Sequence, residues 1–298
     1  MKKAIIIQGP TASGKTAVAV RLAAKLHTGV VSADSRQCYD GMPIGTAWPS
    51  VAELSAAPHY FIGGYPVTTA LTAADYEQIA LKHLSDLFLT SDNAVVCGGT
   101  GLYIKALCEG LDAMPAVDEE IEKAVNDGYK NEGVAWLQEA IRAEDPTFFA
   151  TGEIANPARL IRALVFVRST GKSILTFRTR TTRQRPFGII KIGLELPREE
   201  LYERINQRVD IMLQQGLEQE VLSLFPQRHL KNLQTVGYSE LFEYIEGKCT
   251  YDYAVDKIKQ HTRNYAKRQL TWFKKDPEIH WLTTNDKDID DKIMQLIQ

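Results

Sequence analysis

Gly9-Pro10-Thr11-Ala12-Ser13-Gly14-Lys15-Thr16 fits the pattern G-x-x-x-x-G-K-[ST]. Its glycines let successive backbone N–H groups curl around a phosphate, and a helix starting there aims its positive dipole end at the same point. Lys15 adds a full charge, and the Thr16 hydroxyl can ligate Mg²⁺. The pattern points to a polyphosphate without saying which. A second candidate is Ser32-Ala33-Asp34-Ser35. A carboxylate at the carboxyl end of a strand beside such a loop can ligate Mg²⁺ or accept a proton from an attacking nucleophile, although Asp and Ser also cap turns. No apolar run ends in the Asp of a Walker B element, and no Asn-Lys-x-Asp or His-Arg-Asp motif occurs. These absences disfavour motor ATPases, GTPases and protein kinases. Cys38, Cys97, Cys108 and Cys249 form no CxxC pair, and the six histidines have no zinc spacing. Reduced thiols in a cytosolic protein are expected.

The elements that must position these groups follow from periodicity. Ala4 to Ile7 reads as a short buried strand, and Thr16 to Leu26 as a helix with Val18, Leu22 and Leu26 on one side. Val30 and Val31 make a second strand, and Asn93 to Cys97 a third that runs into Gly98-Gly99-Thr100-Gly101. Helices are expected over Asp75 to Leu89 and from Leu102 to Leu107. Strands alternating with helices predict an α/β fold, a P-loop NTPase-like parallel sheet flanked by helices. After Met114-Pro115 the pattern turns helical, with helices over Glu119 to Ala143 and Arg159 to Val167. Pro186 to Leu196 returns as a strand of the main sheet, followed by long helices at Arg198 to Leu224 and Tyr251 to Phe273. The expected organisation is a core over 1–112, a smaller helical insertion domain over 113–185, and core completion over 186–298. A length of 298 residues suits such a plan. No run approaches ~18 apolar residues, so no membrane span is expected.

Net charge is −2, yet sixteen of the 35 basic residues fall in two acid-free stretches, Asn156 to Gly193 and Lys257 to Lys275. Such segregation is expected where a surface meets a polyanion; the alternative is two solvated helix faces.

Several blocks together resemble the bacterial tRNA dimethylallyltransferases. They are the Gly9–Thr16 loop, Ser32-Ala33-Asp34-Ser35 with Tyr39 and Gly41-Met42-Pro43-Ile44-Gly45-Thr46, and Gly98-Gly99-Thr100-Gly101-Leu102-Tyr103. Arg159-Leu160-Ile161-Arg162-Ala163-Leu164 with Gly171-Lys172, Val236-Gly237-Tyr238, Thr262-Arg263 and Ala266 to Trp272 complete the set, in order along nearly the whole chain.

The resemblance implies that Gly9, Pro10, Thr11, Ala12, Ser13, Gly14, Lys15 and Thr16 hold the diphosphate of dimethylallyl diphosphate, with Mg²⁺ as cofactor and Thr16 as its ligand. The exocyclic amine of the adenine just 3′ of the tRNA anticodon attacks the allylic carbon, and diphosphate leaves. Lys15 and Arg208 would stabilise the leaving group, Asp34 would take the proton, and Thr100 would orient the site. The adenine must flip out of a stacked loop to react. The tRNA contacts implied are Asp34, Ser35, Arg36, Gln37 and Thr100, then Ala158, Arg159, Leu160, Ile161 and Arg162. Gln234, Thr235, Val236, Gly237, Tyr238 and Ser239 follow, with Arg263, Lys267 and Arg268. Tyr238, Tyr265 and Trp272 could stack on bases or pack in the core. Arg36 and Cys38 depart from the apolar residues of many relatives. A cytoplasmic monomer acting on the anticodon stem-loop is expected. The rival readings are a P-loop small-molecule kinase, a prenyltransferase acting on free adenylate, and a non-catalytic RNA-binding protein.

Overall fold

A computed structural model describes residues 1–179 and 181–298. Two compact units emerge, one made of Met1–Glu109 with Gln184–Gln298 and the other of Gly110–Arg183.

The first unit is an α/β layer structure. Its strands are β1 (Lys3–Gln8), β2 (Val30–Ser32), β3 (His59–Tyr60), β4 (Asn93–Gly98), β5 (Gly188–Glu195) and β6 (His280–Thr283). They form one sheet in the order β3-β2-β4-β1-β5-β6, and every pairing is parallel. β1 lies between β4 and β5, with Ile5 opposite Val95 and Ile190, and Gln8 opposite Gly98 and Gly193. Parallel strands covered on both faces read as unbroken apolar runs, and Ala4, Ile5, Ile6 and Ile7 are all buried. Ile5, Ile7 and Val95 pack on one face with α1 (Lys15–Lys25) and α12 (Ile289–Ile297). Ala4, Ile6 and Val96 pack on the other with α3 (Ala73–Leu87) and α4 (Gly101–Glu109).

The remaining helices of this unit are α2 (Val51–Ala56), α8 (Arg198–Gln214), α9 (Leu217–Leu224), α10 (Tyr238–Ile245) and α11 (Tyr251–Phe273). The single helix expected over Arg198 to Leu224 is two. Gly216 sits at φ 99° between α8 and α9, a conformation that ends a helix and that side-chain-bearing residues resist. The short α2 and the strands β3 and β6 carry too few periodic residues to be read from sequence; α10 and α12 were not anticipated either, although Ile289, Ile293 and Ile297 recur at helical spacing on α12.

The second unit is helical. It holds α5 (Glu119–Glu144), α6 (Pro146–Thr151) and α7 (Pro157–Thr170) around Leu137, Ile141, Phe148, Leu160 and Leu164. α5 breaks at Gly133, where φ is 78°, so the expected Glu119–Ala143 helix is also two segments. Pro157 opens α7 under an Asn156 cap. Among the described residues no helix is long and apolar enough to cross a membrane.

Candidate active site

The phosphate loop leaves the carboxyl end of β1 and runs into α1, as the residue pattern requires. The turn is tight: Ser13 N–H donates to Pro10 O at 3.3 Å, and Ala12 and Gly14 have φ 63° and 85°. Three outside groups hold it. Gln269 on α11 accepts from the Thr11 N–H at 2.8 Å and donates to Gly99 O at 2.9 Å, clamping the loop to the turn after β4. The Thr284 hydroxyl donates to Ser13 O at 2.6 Å. Arg208 on α8 donates to the Thr11 hydroxyl at 3.2 Å.

Lys15 folds back to donate to Pro10 O at 3.2 Å. Among the described residues no carboxylate forms an ion pair with Lys15 or Arg208. Burial lowers the Lys15 pKa; the Arg208 charge acts in the same direction, and Cys97 and Asp34 oppose it. Burial likewise lowers the pKa of Arg208, against the pull of Glu53 and Asp34. Two desolvated cations without counter-ions favour a bound polyanion, which would supply the missing charge.

Both cations line a cavity of about 310 Å³ that also receives Asp34. Asp34 follows β2, and its Oδ1 accepts from the Arg36 N–H at 2.9 Å, closing an Asx turn that presents the carboxyl group to the cavity. Thr100 fastens this turn to the one after β4: its N–H donates to Ala33 O at 3.1 Å, and its hydroxyl accepts from the Ser35 N–H at 3.0 Å. Val209, Met212, Leu217, Val236 and Ile258 give the cavity an apolar wall. That wall suits a hydrocarbon beside a phosphate cradle.

Of the residues anticipated from sequence, Thr11, Ala12, Gly14, Lys15, Thr16, Asp34, Arg36, Gln37, Arg208, Thr235, Val236 and Gly237 line this one cavity. Gly9, Pro10 and Ser13 form the back of the loop. Thr100 is not a lining residue and reaches the site through Ser35 and through the Tyr265 phenol. Gln234 donates to Arg228 O, and Ser239 lies outside the lining. Tyr238 is fully buried, with its hydroxyl on Glu220, so no face of its ring is open to a base. Leu160 is equally buried in the core of the helical unit, where Ala158, Arg159 and Arg162 are exposed on α7 and Ile161 is half-buried. On α11, Lys267 and Arg268 are exposed, and Arg263 donates to Asn206 at 2.6 Å.

The acid-free stretches do not stay free of acids in space. Arg159 pairs with Glu153, Arg168 with Glu144, Lys191 with Asp276 and Glu278, Lys259 with Asp210, and Lys274 with Glu195. Among the described residues, Arg162, Lys267 and Arg268 have no such pair. Folding brings carboxylates from other elements to cations whose chain neighbours have none. Arg180 lies outside the described residues.

Gln269, Glu53, Cys97 and the loop Gly45–Ala47 also line the cavity; sequence reading gave them no site role, although Gly45, Thr46 and Gln269 fall in blocks that carry the resemblance. One signal was available: Ile258, Thr262, Tyr265 and Gln269 recur at helical spacing on α11 and form its cavity face. Among the described residues no group of three or more His, Cys, Asp or Glu could hold a metal. Thr16 and Asp34 line the same cavity, which suits a Mg²⁺ held mostly by phosphate oxygens and only one or two protein ligands.

A fully parallel sheet, a G-x-x-x-x-G-K-T loop after its strand β1, and a carboxylate after β2 define a phosphate-loop α/β protein. The IPP transferase family model matches residues 37–276. A curated relative from Christiangramia forsetii, named tRNA dimethylallyltransferase, is 46% identical over 291 residues, covering 97% of this chain and 96% of its own. One from Phocaeicola vulgatus, named tRNA dimethylallyltransferase 1, is 45% identical over 277 residues, covering 93% and 92%. The crystal structure of the full-length tRNA isopentenylpyrophosphate transferase from Bacillus halodurans superposes with a TM-score of 0.73 at 34% identity, covering 99% of this chain and 94% of that one. The chain belongs to the IPP transferase family.

Proposed function

We propose that this protein is a tRNA dimethylallyltransferase. It moves the dimethylallyl group of dimethylallyl diphosphate to the exocyclic amine of the adenine 3′ of the anticodon and releases diphosphate. One observation carries the reading: two partly buried cations that have no ion-pair partner among the described residues, a carboxylate and an apolar wall share a single cavity. The likeness to relatives named for this activity supports it.

The loop amides, Lys15 and Arg208 bind the diphosphate and stabilise the charge that grows as the allylic C–O bond breaks. The amine nitrogen forms the new bond to the allylic carbon, and Asp34 accepts the proton the amine gives up. Thr16 would hold Mg²⁺ with the diphosphate oxygens, and the ion would supply further charge neutralisation of the leaving group. The apolar wall covers the five-carbon chain and keeps water from the electrophilic carbon. The adenine enters flipped out of its stack, and Tyr265 offers a ring within the cavity. A tRNA acceptor calls for a cytoplasmic location.

The test is direct. The protein is incubated with labelled dimethylallyl diphosphate and ATP, AMP or unmodified tRNA. Label on tRNA alone is the expected result. Label on AMP or ATP would make it a free-nucleotide prenyltransferase, and no transfer to any acceptor would refute the assignment.

A further inference from the structure

Glu220 lies on α9, three residues beyond the cavity-lining Leu217. Its Oε2 accepts from the Ile44 N–H at 2.8 Å, and its Oε1 accepts from the Gly45 N–H at 2.8 Å and from the Tyr238 hydroxyl at 2.5 Å. Among the described residues no Lys or Arg pairs with it. A carboxylate held only by two consecutive backbone amides and a phenol is arranged to hold backbone in place.

The backbone it holds is part of the cavity wall, since Gly45, Thr46 and Ala47 all line the cavity. The segment is tightly specified. A Cβ on Gly45 would come within 2.5–2.6 Å of the Tyr238 ring and hydroxyl, so the chain can pass there only as glycine. Ala47 has φ 51°, a left-handed conformation that persists only where the surroundings impose it. From the other side, Gln37 donates to Thr46 O at 3.2 Å and to Ala47 O at 2.9 Å. Gln37 Oε1 accepts from the Ser32 hydroxyl at 2.9 Å, and Ser32 Oγ accepts from the Asp34 N–H at 3.3 Å. A hydrogen-bonded path therefore runs from Glu220 through the 44–47 segment and Gln37 to the backbone of Asp34. The phosphate loop is fastened separately, by Gln269 and Thr284.

We infer that Glu220 is a positioning residue that sets the 44–47 wall and, through it, the aim of the Asp34 carboxylate at the acceptor. The inference rests on the prenyl-transfer reading above. It separates two quantities: donor binding depends on the phosphate loop, while the rate of transfer depends on the wall that Glu220 holds.

The experiment measures single-turnover dimethylallyl transfer to tRNA at saturating donor, diphosphate affinity, and the folded fraction of each variant, beside the unaltered protein. Glu220→Ala should slow transfer by ~10-fold or more, the scale expected when a reacting group is displaced by a fraction of an ångström. Its diphosphate affinity should stay within about twofold, because the phosphate loop keeps its own fastenings. Glu220→Gln sets an amide N–H against a backbone N–H and should show the same split in smaller degree, which preserves the test if the alanine variant does not fold. Tyr238→Phe keeps both amide bonds and should stay within about threefold of the unaltered rate. A transfer rate per folded molecule equal to the unaltered protein's in both Glu220 variants would overturn the inference, as would a parallel loss of diphosphate affinity. No transfer by the unaltered protein would overturn the parent reading and this inference with it.

Discussion

Gln269→Leu removes the clamp between the phosphate loop and the turn after β4. The side chain is 5% exposed and satisfies two backbone groups, Thr11 N–H at 2.8 Å and Gly99 O at 2.9 Å. Thr11 lines the cavity, so its amide can find water once the glutamine is gone; Gly99 is not a lining residue, and its carbonyl stays dry. One lost bond at about 1 kcal/mol and one orphaned carbonyl at about 1–3 kcal/mol give a destabilisation of roughly 2–4 kcal/mol. For a domain of this size that corresponds to a fall in Tm of roughly 5–10 °C, read by differential scanning calorimetry. The loop is also the diphosphate cradle, so diphosphate affinity measured by isothermal titration should fall about tenfold, the worth of one misplaced charge-assisted amide bond. Gln269→Glu can still accept from Thr11 but sets an oxygen against Gly99 O and a negative charge near the diphosphate. It should therefore lose at least as much affinity. A Tm within about 1 °C of the unaltered protein together with unchanged diphosphate affinity would refute the view that this clamp shapes the loop.

Asp34→Asn should leave tRNA affinity largely intact and cut the single-turnover rate by ~10²-fold or more, the scale for a positioned general base; a rate near that of the unaltered protein removes Asp34 from the proton transfer. Burial holds the Lys15 pKa below that of an ordinary lysine in the free site, and a bound diphosphate would hold its proton, so in the pH range below the ordinary lysine value of 10.5 binding should take up protons and should weaken as pH rises. Calorimetry in buffers of different ionisation enthalpy reads this uptake, and an equal uptake in Lys15→Met would assign it elsewhere. tRNA affinity should fall steeply with salt, and Arg162→Ala and Lys267→Ala should each reduce the slope by about one unit with diphosphate affinity unchanged, because neither cation has an acidic partner among the described residues. Arg159→Ala should change it less, since Glu153 already pairs with Arg159.

The chemistry at the carboxyl end of the sheet was legible in the residues themselves. The Gly9–Thr16 loop is local: its glycines, lysine and threonine act within eight consecutive residues, so spacing alone places them. The buried strands β1 and β4 and the helices α1, α3 and α11 were legible for a related reason, since burial on one or both faces writes a period into the chain. Helix breaks at Gly133 and Gly216 were not, because a glycine within a periodic run shows its φ only when the flanking segments pack.

Other features belong to the tertiary structure alone. Gln269 and Thr11 are 258 residues apart, and nothing in either neighbourhood announces the bond between them. From sequence Tyr238 could stack on a base or pack in the core, and it is a buried strut on Glu220, a choice that only packing decides. The acid-free stretches kept their composition but not their isolation, because Glu153, Glu144, Asp210 and Glu195 come to them from other parts of the chain or other elements. Sequence determines the groups available and the local geometry of a loop that needs no distant partner. Which carboxylate meets which cation, which ring is buried and how a cavity closes around Asp34 depend on contacts between distant segments, and those exist only once the chain has folded.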